Sequence, residues 1–134
     1  CGPARREALD PSSGTHLLAG APEPEYLSDP PTSGTHEPVP LLSGVRDEPL
    51  GRAAQVGQLE AGAVLLQHRD LDADQLATLE GLAGEGIVVV PNPDLPAPVV
   101  ATAWLFKQTC EAVDVAALQG FLDEHAGATS AEHG

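Results

Sequence analysis

Hydrophobic and polar positions follow regular patterns only in the second half of the chain. The apolar run Ala63–Leu66, with a polar exit at His68, predicts one strand, and the β-branched run Ile87–Val90 predicts a second strand buried on both faces. Between them, Asp72 followed three residues later by Gln75 predicts the capped start of a helix. The apolar stripe of this helix consists of Leu76, Leu79, Leu82 and Ala83.

Two further elements complete the expected core. The eight residues 91–98 are too few for a parallel crossover, so Val99–Phe106 is expected to form an antiparallel strand beside Ile87–Val90. Asp114 then predicts the cap of a last helix. The stripe of that helix consists of Val115, Leu118, Phe121, Leu122 and His125. The order strand, helix, strand, strand, helix predicts an α/β fold in which helices cover a small three-stranded mixed sheet.

The first half of the chain is rich in proline and has neither a helical nor a strand period. Nine of the 13 prolines lie within the first fifty residues, and proline removes backbone donors from a sheet interior. Scattered apolar residues indicate a belt that packs on the core. A core of about 75 residues is marginal alone, so either this belt or a partner protein is expected to cover one face of the sheet. We therefore expect a flexible tether at residues 1–15, an extended Pro-rich belt at 16–58, the α/β core at 59–126 and a disordered tail at 127–134.

The charge balance excludes two classes of partner. Six Lys and Arg residues against twenty Asp and Glu residues give a formal net charge of −14, which leaves no basic groove for nucleic acid and no basic patch for a membrane surface. The apolar runs are also far shorter than the roughly 20 residues that a membrane-spanning helix needs. Attachment to a membrane is therefore expected only through a covalent lipid.

Cys1 predicts such a lipid. The chain begins at this cysteine and contains no methionine, so we expect that a targeting peptide has been removed before it. The small and polar residues 2–7 resemble the start of a mature bacterial lipoprotein, in which a lipid on the first cysteine holds the protein on the outer face of the cytoplasmic membrane. The alternative is an unmodified Cys1 that forms a disulfide with Cys110 in an oxidising compartment. If Cys1 carries a lipid, Cys110 is a buried thiol, a soft metal ligand or an intermolecular bridge.

A similar phrase occurs twice in the first half of the chain and ends each time in a histidine. Asp10–His16 reads DPSSGTH, and Asp29–His36 reads DPPTSGTH. In each copy a Gly-containing turn precedes the imidazole and sets its direction, as a ligand or a hydrogen-bond donor requires. The alternative is a pair of Asp-Pro turns that present solvated histidines.

The second copy lies in a longer stretch that resembles a known family. The residues that carry the resemblance are Tyr26–Pro40, with the phrase Pro-Pro-Thr-Ser-Gly-x-His, and then Gly44–Pro49, Leu59–Gly62, Val88–Pro93 and Ala101–Trp104. They are similar to a bacterial extracytoplasmic domain family of unknown function. That family reads His-x-Leu-Glu-His-Gly where this chain reads Gly-Gln-Leu-Glu-Ala-Gly at residues 57–62, so both histidines of this motif are absent here.

The resemblance implies a metal site that is partly lost. In the family, two histidines of the belt and the two histidines of the motif look like a metal site, because neutral imidazoles suit copper, zinc, iron or nickel. Copper and zinc are the expected metals here. Of these four positions, this chain keeps only His16 and His36. Glu60 is the candidate third ligand, and His68 or Cys110 is a further candidate.

The sequence contains no convincing catalytic arrangement, because the serines near His36 lack the G-x-S-x-G context of a nucleophile elbow. We therefore expect a non-enzymatic, lipid-anchored accessory or interaction protein on the outer face of the cytoplasmic membrane, such as a subunit of a membrane protein complex. Its partner is expected to be a membrane or envelope protein, with Tyr26 and Trp104 facing it, and no cofactor is expected apart from the lipid. The alternative is a copper- or zinc-binding envelope module with a partly lost histidine site.

Overall fold

A six-stranded mixed sheet and three helices form the framework of the computed structural model, which describes residues 1–18 and 20–127. The strands are β1 (Arg5–Arg6), β2 (Gly44–Val45), β3 (Val64–His68), β4 (Ile87–Pro91), β5 (Val99–Ala103) and β6 (Phe106–Cys110). The helices are α1 (Arg52–Glu60), α2 (Ala73–Glu80) and α3 (Val115–His125), and a short 3₁₀ turn lies at Pro11–Gly14. Across the sheet the strands follow the order β1-β6-β5-β3-β4-β2.

The sheet has a parallel half and an antiparallel half. β2, β4 and β3 run parallel, whereas β5 pairs antiparallel with β3, β6 with β5 and β1 with β6. Because alternate strand residues point to opposite faces, the sheet has two separate apolar layers. On the α1 side the layer contains Val56, Leu59, Leu65, Val88, Val90, Trp104 and Leu105. On the side of α2 and α3 it contains Val64, Leu66, Leu79, Val89, Val99, Ala101, Leu118, Phe121 and Leu122.

The expected three-stranded sheet is wrong. The stretch Val99–Phe106 turns back at Trp104 and Leu105, so it supplies β5 and the first residue of β6 rather than one strand. Leu105 has a φ of 67°, in the left-handed region that a strand residue does not adopt. β5 lies beside β3 and not beside β4, because both edges of β4 are taken, one by β3 and the other by β2 from the Pro-rich segment.

α1 lies largely within the expected belt and has no clear signal in the sequence. Gly51 at its start provides no side-chain cap, and two glutamines, Gln55 and Gln58, interrupt its buried face. The side chain of Gln58 bonds to the belt instead of packing as an apolar residue would. Its Oε1 accepts from the backbone N–H of Leu42 and its Nε2 donates to the carbonyl oxygen of Pro40, both at 2.8 Å. Because this buried face is made partly by polar side chains that bond to distant backbone groups, the local sequence has no helical pattern of apolar residues that would predict α1.

The capped helices and the buried strands that periodicity predicts are confirmed. In α2 the carboxylate of Asp72 accepts from the backbone N–H of Gln75 (2.8 Å), and in α3 the carboxylate of Asp114 accepts from that of Ala117 (3.1 Å). Residues 88–90 of β4 are buried on both faces. Within the described residues, no helix combines the length and the apolar character that crossing a membrane requires.

The first residues of the chain lie along the edge of the sheet. β1 pairs with β6, and the backbone N–H of Gly2 donates to the carbonyl oxygen of Thr109 (2.9 Å). Of the two alternatives for Cys1, the structure contains the disulfide, which joins it to Cys110 across a sequence separation of 109 residues. The segment expected as a tether thus contributes a strand and a covalent link. Of the expected disordered tail at 127–134, residues 128–134 lie outside the described part of the chain.

Cys1→Ser removes the disulfide at an exposed residue. We expect it to lower the free energy of unfolding by about 2–5 kcal/mol, since the link no longer restricts a long loop of the unfolded chain. Urea denaturation of the oxidised protein and of the variant measures this difference. The oxidised protein treated with excess reductant is the matched control and should unfold together with the variant. Equal midpoints for all three samples would contradict a link between Cys1 and Cys110.

Candidate functional site

The candidate site is built around a buried, irregular turn of the Pro-rich segment, residues 30–36. Because little of this turn is paired in the sheet, its backbone groups must find other partners. The N-terminal residues supply some of them. The Oγ of Ser33 accepts from the backbone N–H of Asp10 (2.9 Å), and the N–H of Gly34 donates to the Oγ of Ser13 (3.0 Å). These bonds fix the path of the turn that leads to His36.

His16 and His36 lie side by side. The backbone N–H of His36 donates to the carbonyl oxygen of Thr15 (3.1 Å), and that of Leu17 donates to the carbonyl oxygen of His36 (2.8 Å), which forms a short parallel bridge. The two ring centroids are 4.9 Å apart and the ring planes meet at 74°. The structure therefore brings together the two histidines that end the repeated phrase, one exposed and the other buried.

The ring of His36 is fixed by one hydrogen bond and has one nitrogen without a partner. Its Nδ1 lies 3.0 Å from the carbonyl oxygen of Gly34. A carbonyl oxygen only accepts, so Nδ1 carries a proton and the neutral ring keeps a lone pair on Nε2. His36 is 3% exposed, and its Nε2 makes no hydrogen bond to the described residues. Most buried polar atoms in proteins have a hydrogen-bond partner, which is often an ordered water.

Glu60 places a carboxylate beside this nitrogen. Its Oε2 lies 4.0 Å from Nε2 of His36, and its side chain is 44% exposed. Glu60 is the last residue of α1. This helix can lie close to the belt because Gly57 has no side chain. A Cβ atom there would collide with the carbonyl oxygen of Glu37, whose own N–H donates to the carbonyl oxygen of Ala53 (3.1 Å). Glycine permits this approach of helix and belt, which brings Glu60 to His36.

A family model described as a protein of unknown function (DUF3105) matches residues 21–134. The chain belongs to the DUF3105 family. The expected membership of a domain family of unknown function is thereby confirmed. No curated protein and no solved structure matches the chain. The DUF3105 match includes His36 and Glu60, whereas His16 precedes its first residue.

The other candidate ligands of this DUF3105 chain lie away from the cluster. Cys110 is bonded to Cys1, so its sulfur is not available to a metal. His68 is the last residue of β3, whereas Glu60 precedes the first residue of that strand. Burial lowers the pKa of His68, and the carboxylate of Glu80 opposes this shift. Among the described residues, no group of three or more His, Cys, Asp and Glu side chains is arranged to hold a metal ion. The site thus consists of two imidazoles with a carboxylate nearby.

The two residues expected to face a partner pack against the core. Trp104 is 4% exposed and belongs to the apolar layer on the α1 side. Tyr26 packs against the same layer from a half-buried position and donates its hydroxyl to the carbonyl oxygen of Thr35 (2.6 Å). Burial first, and then the carboxylate of Glu23, raises the pKa of Tyr26 to about 12. Both side chains therefore stabilise the belt on the sheet.

The residues that position His36 are only partly visible in the sequence. Gly34 and Ser13 belong to the repeated phrase, which predicts a glycine-containing turn before each histidine. Nothing local marks Gly57, because its role depends on the carbonyl group of Glu37, a residue of the belt. The position of Glu60 therefore depends on the contact between Gly57 and Glu37, which no sequence motif reveals.

Gly57→Ala tests the contact between belt and helix. We expect it to lower the free energy of unfolding by about 1–3 kcal/mol, since the added methyl group forces α1 and Glu37 apart. Gly120→Ala in α3 is the matched control, because a Cβ there enters open space. It is expected to raise the free energy of unfolding by about 0.5–1 kcal/mol through helix propensity. If chemical denaturation shows that both substitutions stabilise the protein, the belt does not lie against α1.

Proposed function

We propose that this chain is a non-enzymatic module of the cell envelope that binds a divalent metal ion, Zn²⁺ or Cu²⁺, through His16, His36 and Glu60. The observation that carries the proposal is the state of His36. Its ring is buried, its Nδ1 is held by the carbonyl oxygen of Gly34, and the lone pair of its Nε2 has no hydrogen-bond partner among the described residues. Metal-binding imidazoles are commonly oriented in this way, by a backbone carbonyl on the other nitrogen.

The two imidazoles are spaced as on a shared ion, whereas Glu60 has to move before three residues can hold one. Two imidazoles on one tetrahedral zinc ion, with Zn–N bonds of about 2.0–2.1 Å, place their ring centroids about 5 Å apart. The centroids of His16 and His36 are 4.9 Å apart. Two ligand atoms on such an ion lie about 3.3 Å apart, whereas Oε2 of Glu60 is 4.0 Å from Nε2 of His36. Glu60 is nearly half exposed, so a side-chain rotation that closes this gap meets little resistance.

The donor atoms select the class of cation. Both cysteines of the chain are bonded to each other, so the site offers imidazole nitrogen and carboxylate oxygen but no thiolate. These donors suit Zn²⁺ and Cu²⁺ better than the soft ion Cu⁺. Three protein ligands leave a fourth position for water or for a group of a partner. The net charge of −14 concentrates cations near the protein without choosing among them.

The resemblance noted in the sequence supports a reduced site. At position 57, where the motif of the resembled family has its first histidine, the carbonyl oxygen of Glu37 occupies the space that a side chain needs. In this chain the belt and α1 therefore pack directly against each other at position 57. In our proposal the carboxylate of Glu60, which is part of the same motif, is the donor that completes the pair of histidines.

We place metal binding ahead of the role of a partner-dependent accessory protein. The sequence favours that role because a small core leaves one face of the sheet to be covered. In the structure, Tyr26, Leu42 and Leu50 of the Pro-rich segment pack on the α1 side of the sheet. No partner is then needed to bury that face. Docking of the module on a membrane protein complex remains a prediction.

We further propose that the module acts outside the cytoplasm. The disulfide between Cys1 and Cys110 supports an oxidising compartment. A lipid on Cys1 and the disulfide exclude each other, because each uses the remaining valence of the same sulfur atom. We therefore propose two chemical states: a form anchored by lipid on Cys1, with a free Cys110 thiol, and an unlipidated form with the disulfide.

Peptide mass spectrometry distinguishes these two states. For protein purified from host membranes, we expect a diacylglyceryl group on the peptide that begins at Cys1 and no link to Cys110. The matched control is the same chain exported without lipidation, which is expected to give one peptide pair joined through Cys1 and Cys110. An unmodified or disulfide-bonded Cys1 throughout the membrane fraction would contradict the lipid anchor.

Titration calorimetry with zinc chloride and with copper(II) chloride tests the metal site. We expect one ion per chain for the oxidised protein. His16→Asn and Glu60→Gln each remove one donor at an exposed or half-exposed position and are expected to weaken binding by at least about tenfold, the size of effect seen for residues that merely orient a metal ligand. His36→Gln is expected to abolish binding, with circular dichroism showing whether the variant is folded.

Two variants serve as controls for nonspecific binding by histidine. His68→Asn removes an imidazole at the end of β3, and His133→Asn removes one outside the described residues. Both are expected to leave the affinity unchanged. The proposal is wrong if the oxidised protein binds no ion stoichiometrically, or if binding persists at full strength in the double variant His16→Asn/Glu60→Gln.

A further inference from the structure

One segment of the chain connects the disulfide to the candidate metal site. This segment, residues 1–17, is named the clasp. At its beginning, Cys1 is bonded to Cys110 at the end of β6. At its end, His16 forms the parallel bridge with His36. The clasp is thus held at its two ends by two different parts of the fold, and one of them is the proposed site of the cation.

Polar side chains fix the clasp between its ends. The Oε1 of Glu7 accepts from the hydroxyl groups of Ser28 (2.8 Å) and Thr32 (2.7 Å). Its Oε2 lies 3.3 Å from Nζ of Lys107 on β6. Further along, Asp10 donates its backbone N–H to the Oγ of Ser33. These contacts bind the clasp to the turn that carries His36, so the clasp and the site close together.

The clasp has few apolar contacts of its own. Residues 1–6 are exposed, β1 contains only two residues, and Leu9 is 57% exposed. Segments with few buried contacts open at a lower free-energy cost than the rest of a fold. A covalent bond at Cys1 therefore raises the fraction of molecules in which the clasp is closed and His16 lies beside His36.

We propose that the disulfide between Cys1 and Cys110 increases the affinity of the candidate site for its cation, an inference that rests on the proposed metal-binding function. The disulfide holds the beginning of the clasp, and the cation holds its end through His16. Both favour the closed clasp, and two events that favour one state reinforce each other by the same factor. Oxidation of the cysteine pair thus tightens cation binding, and a bound cation favours the disulfide.

Opening the clasp requires a reductant, for which a dithiol is sufficient. A thiolate of the dithiol attacks the sulfur of the exposed residue Cys1, the S–S bond breaks, and Cys110 leaves as a thiolate. The second sulfur of the dithiol then displaces Cys1 from the mixed disulfide. Two electrons and two protons pass from the dithiol to the cysteine pair, and the dithiol becomes a disulfide. A lipid on Cys1 has the same consequence for the clasp, because it also prevents the bond to Cys110.

The test compares the affinity for Zn²⁺ of the oxidised protein with that of Cys1→Ser by titration calorimetry. Cys1→Ser prevents the disulfide but leaves a thiol on Cys110. The double variant Cys1→Ser/Cys110→Ser contains no thiol that could bind zinc, so it is measured beside the single variant and is expected to bind Zn²⁺ as weakly. We expect the single variant to bind Zn²⁺ about fivefold or more weakly, which is the lower end of typical coupling between sites. Amide hydrogen exchange in the clasp is expected to be faster in the variant, and Zn²⁺ is expected to slow it.

Leu79→Ala is the matched control for a general loss of stability. Leu79 is fully buried on α2, an element that takes no part in the clasp, so its truncation weakens the fold but leaves the disulfide and the bridge between His16 and His36 in place. Its affinity for Zn²⁺ is expected to equal that of the oxidised protein. Leu79→Val is the milder alternative should the alanine variant fail to fold.

The outcomes separate this inference from the proposed function. Equal affinities of the oxidised protein and Cys1→Ser would overturn the coupling and leave the metal site intact. A loss of the same size in the Leu79 variant would also overturn it, because general destabilisation would then account for the effect. If the oxidised protein binds no Zn²⁺, the proposed function fails and the coupling fails with it.

Discussion

The burial of an irregular segment, residues 30–36, is the constraint on which the rest of the structure depends. A buried segment that is hardly paired with other strands must bond its polar groups elsewhere, since each group left unpaired costs free energy. Its partners come from separate parts of the chain. The N-terminal residues bond Ser33 and Gly34, the turn between β5 and β6 bonds Thr32, and the phenol of Tyr26 bonds Thr35. A proline-rich sequence is therefore an integral part of this fold and not a linker.

The same constraint shapes the edge of the sheet. Leu105, whose φ is 67°, donates its N–H to Thr32 (3.1 Å) and accepts from the N–H of Glu7 (2.7 Å), so one turn residue joins the sheet to two irregular segments. Glu7 then meets Lys107 on β6. Burial lowers the pKa of Lys107, and the carboxylate of Glu7 opposes that shift. A desolvated ammonium group needs such a partner, so the position of Glu7 and the pairing of β1 with β6 depend on each other.

Elements with local signals are predictable from the sequence, and elements made by distant contacts are not. Asp72 marks α2 because cap and apolar stripe lie in one short stretch. β1 and β2 have two residues each, too few for any period, and exist only through their register with β6 and β4. The repeated phrase indicates His16 and His36 as a pair, but the approach of Glu60 depends on Gly57 and the belt. The sequence alone does not choose between a disulfide and a lipid on Cys1, because the identity of a residue does not show how its side chain is modified.

The site can be described in two ways, according to what lies at the lone pair on Nε2 of His36. If nothing lies there, the fold carries a buried acceptor without a partner, at a cost in free energy. In the proposed function, a divalent ion uses the lone pair, brings positive charge toward Glu60 and takes the exposed imidazole of His16 as a second ligand. The bond from Nδ1 to Gly34 is compatible with such an ion, because it keeps the ring proton on Nδ1 and leaves the lone pair of Nε2 available as a ligand.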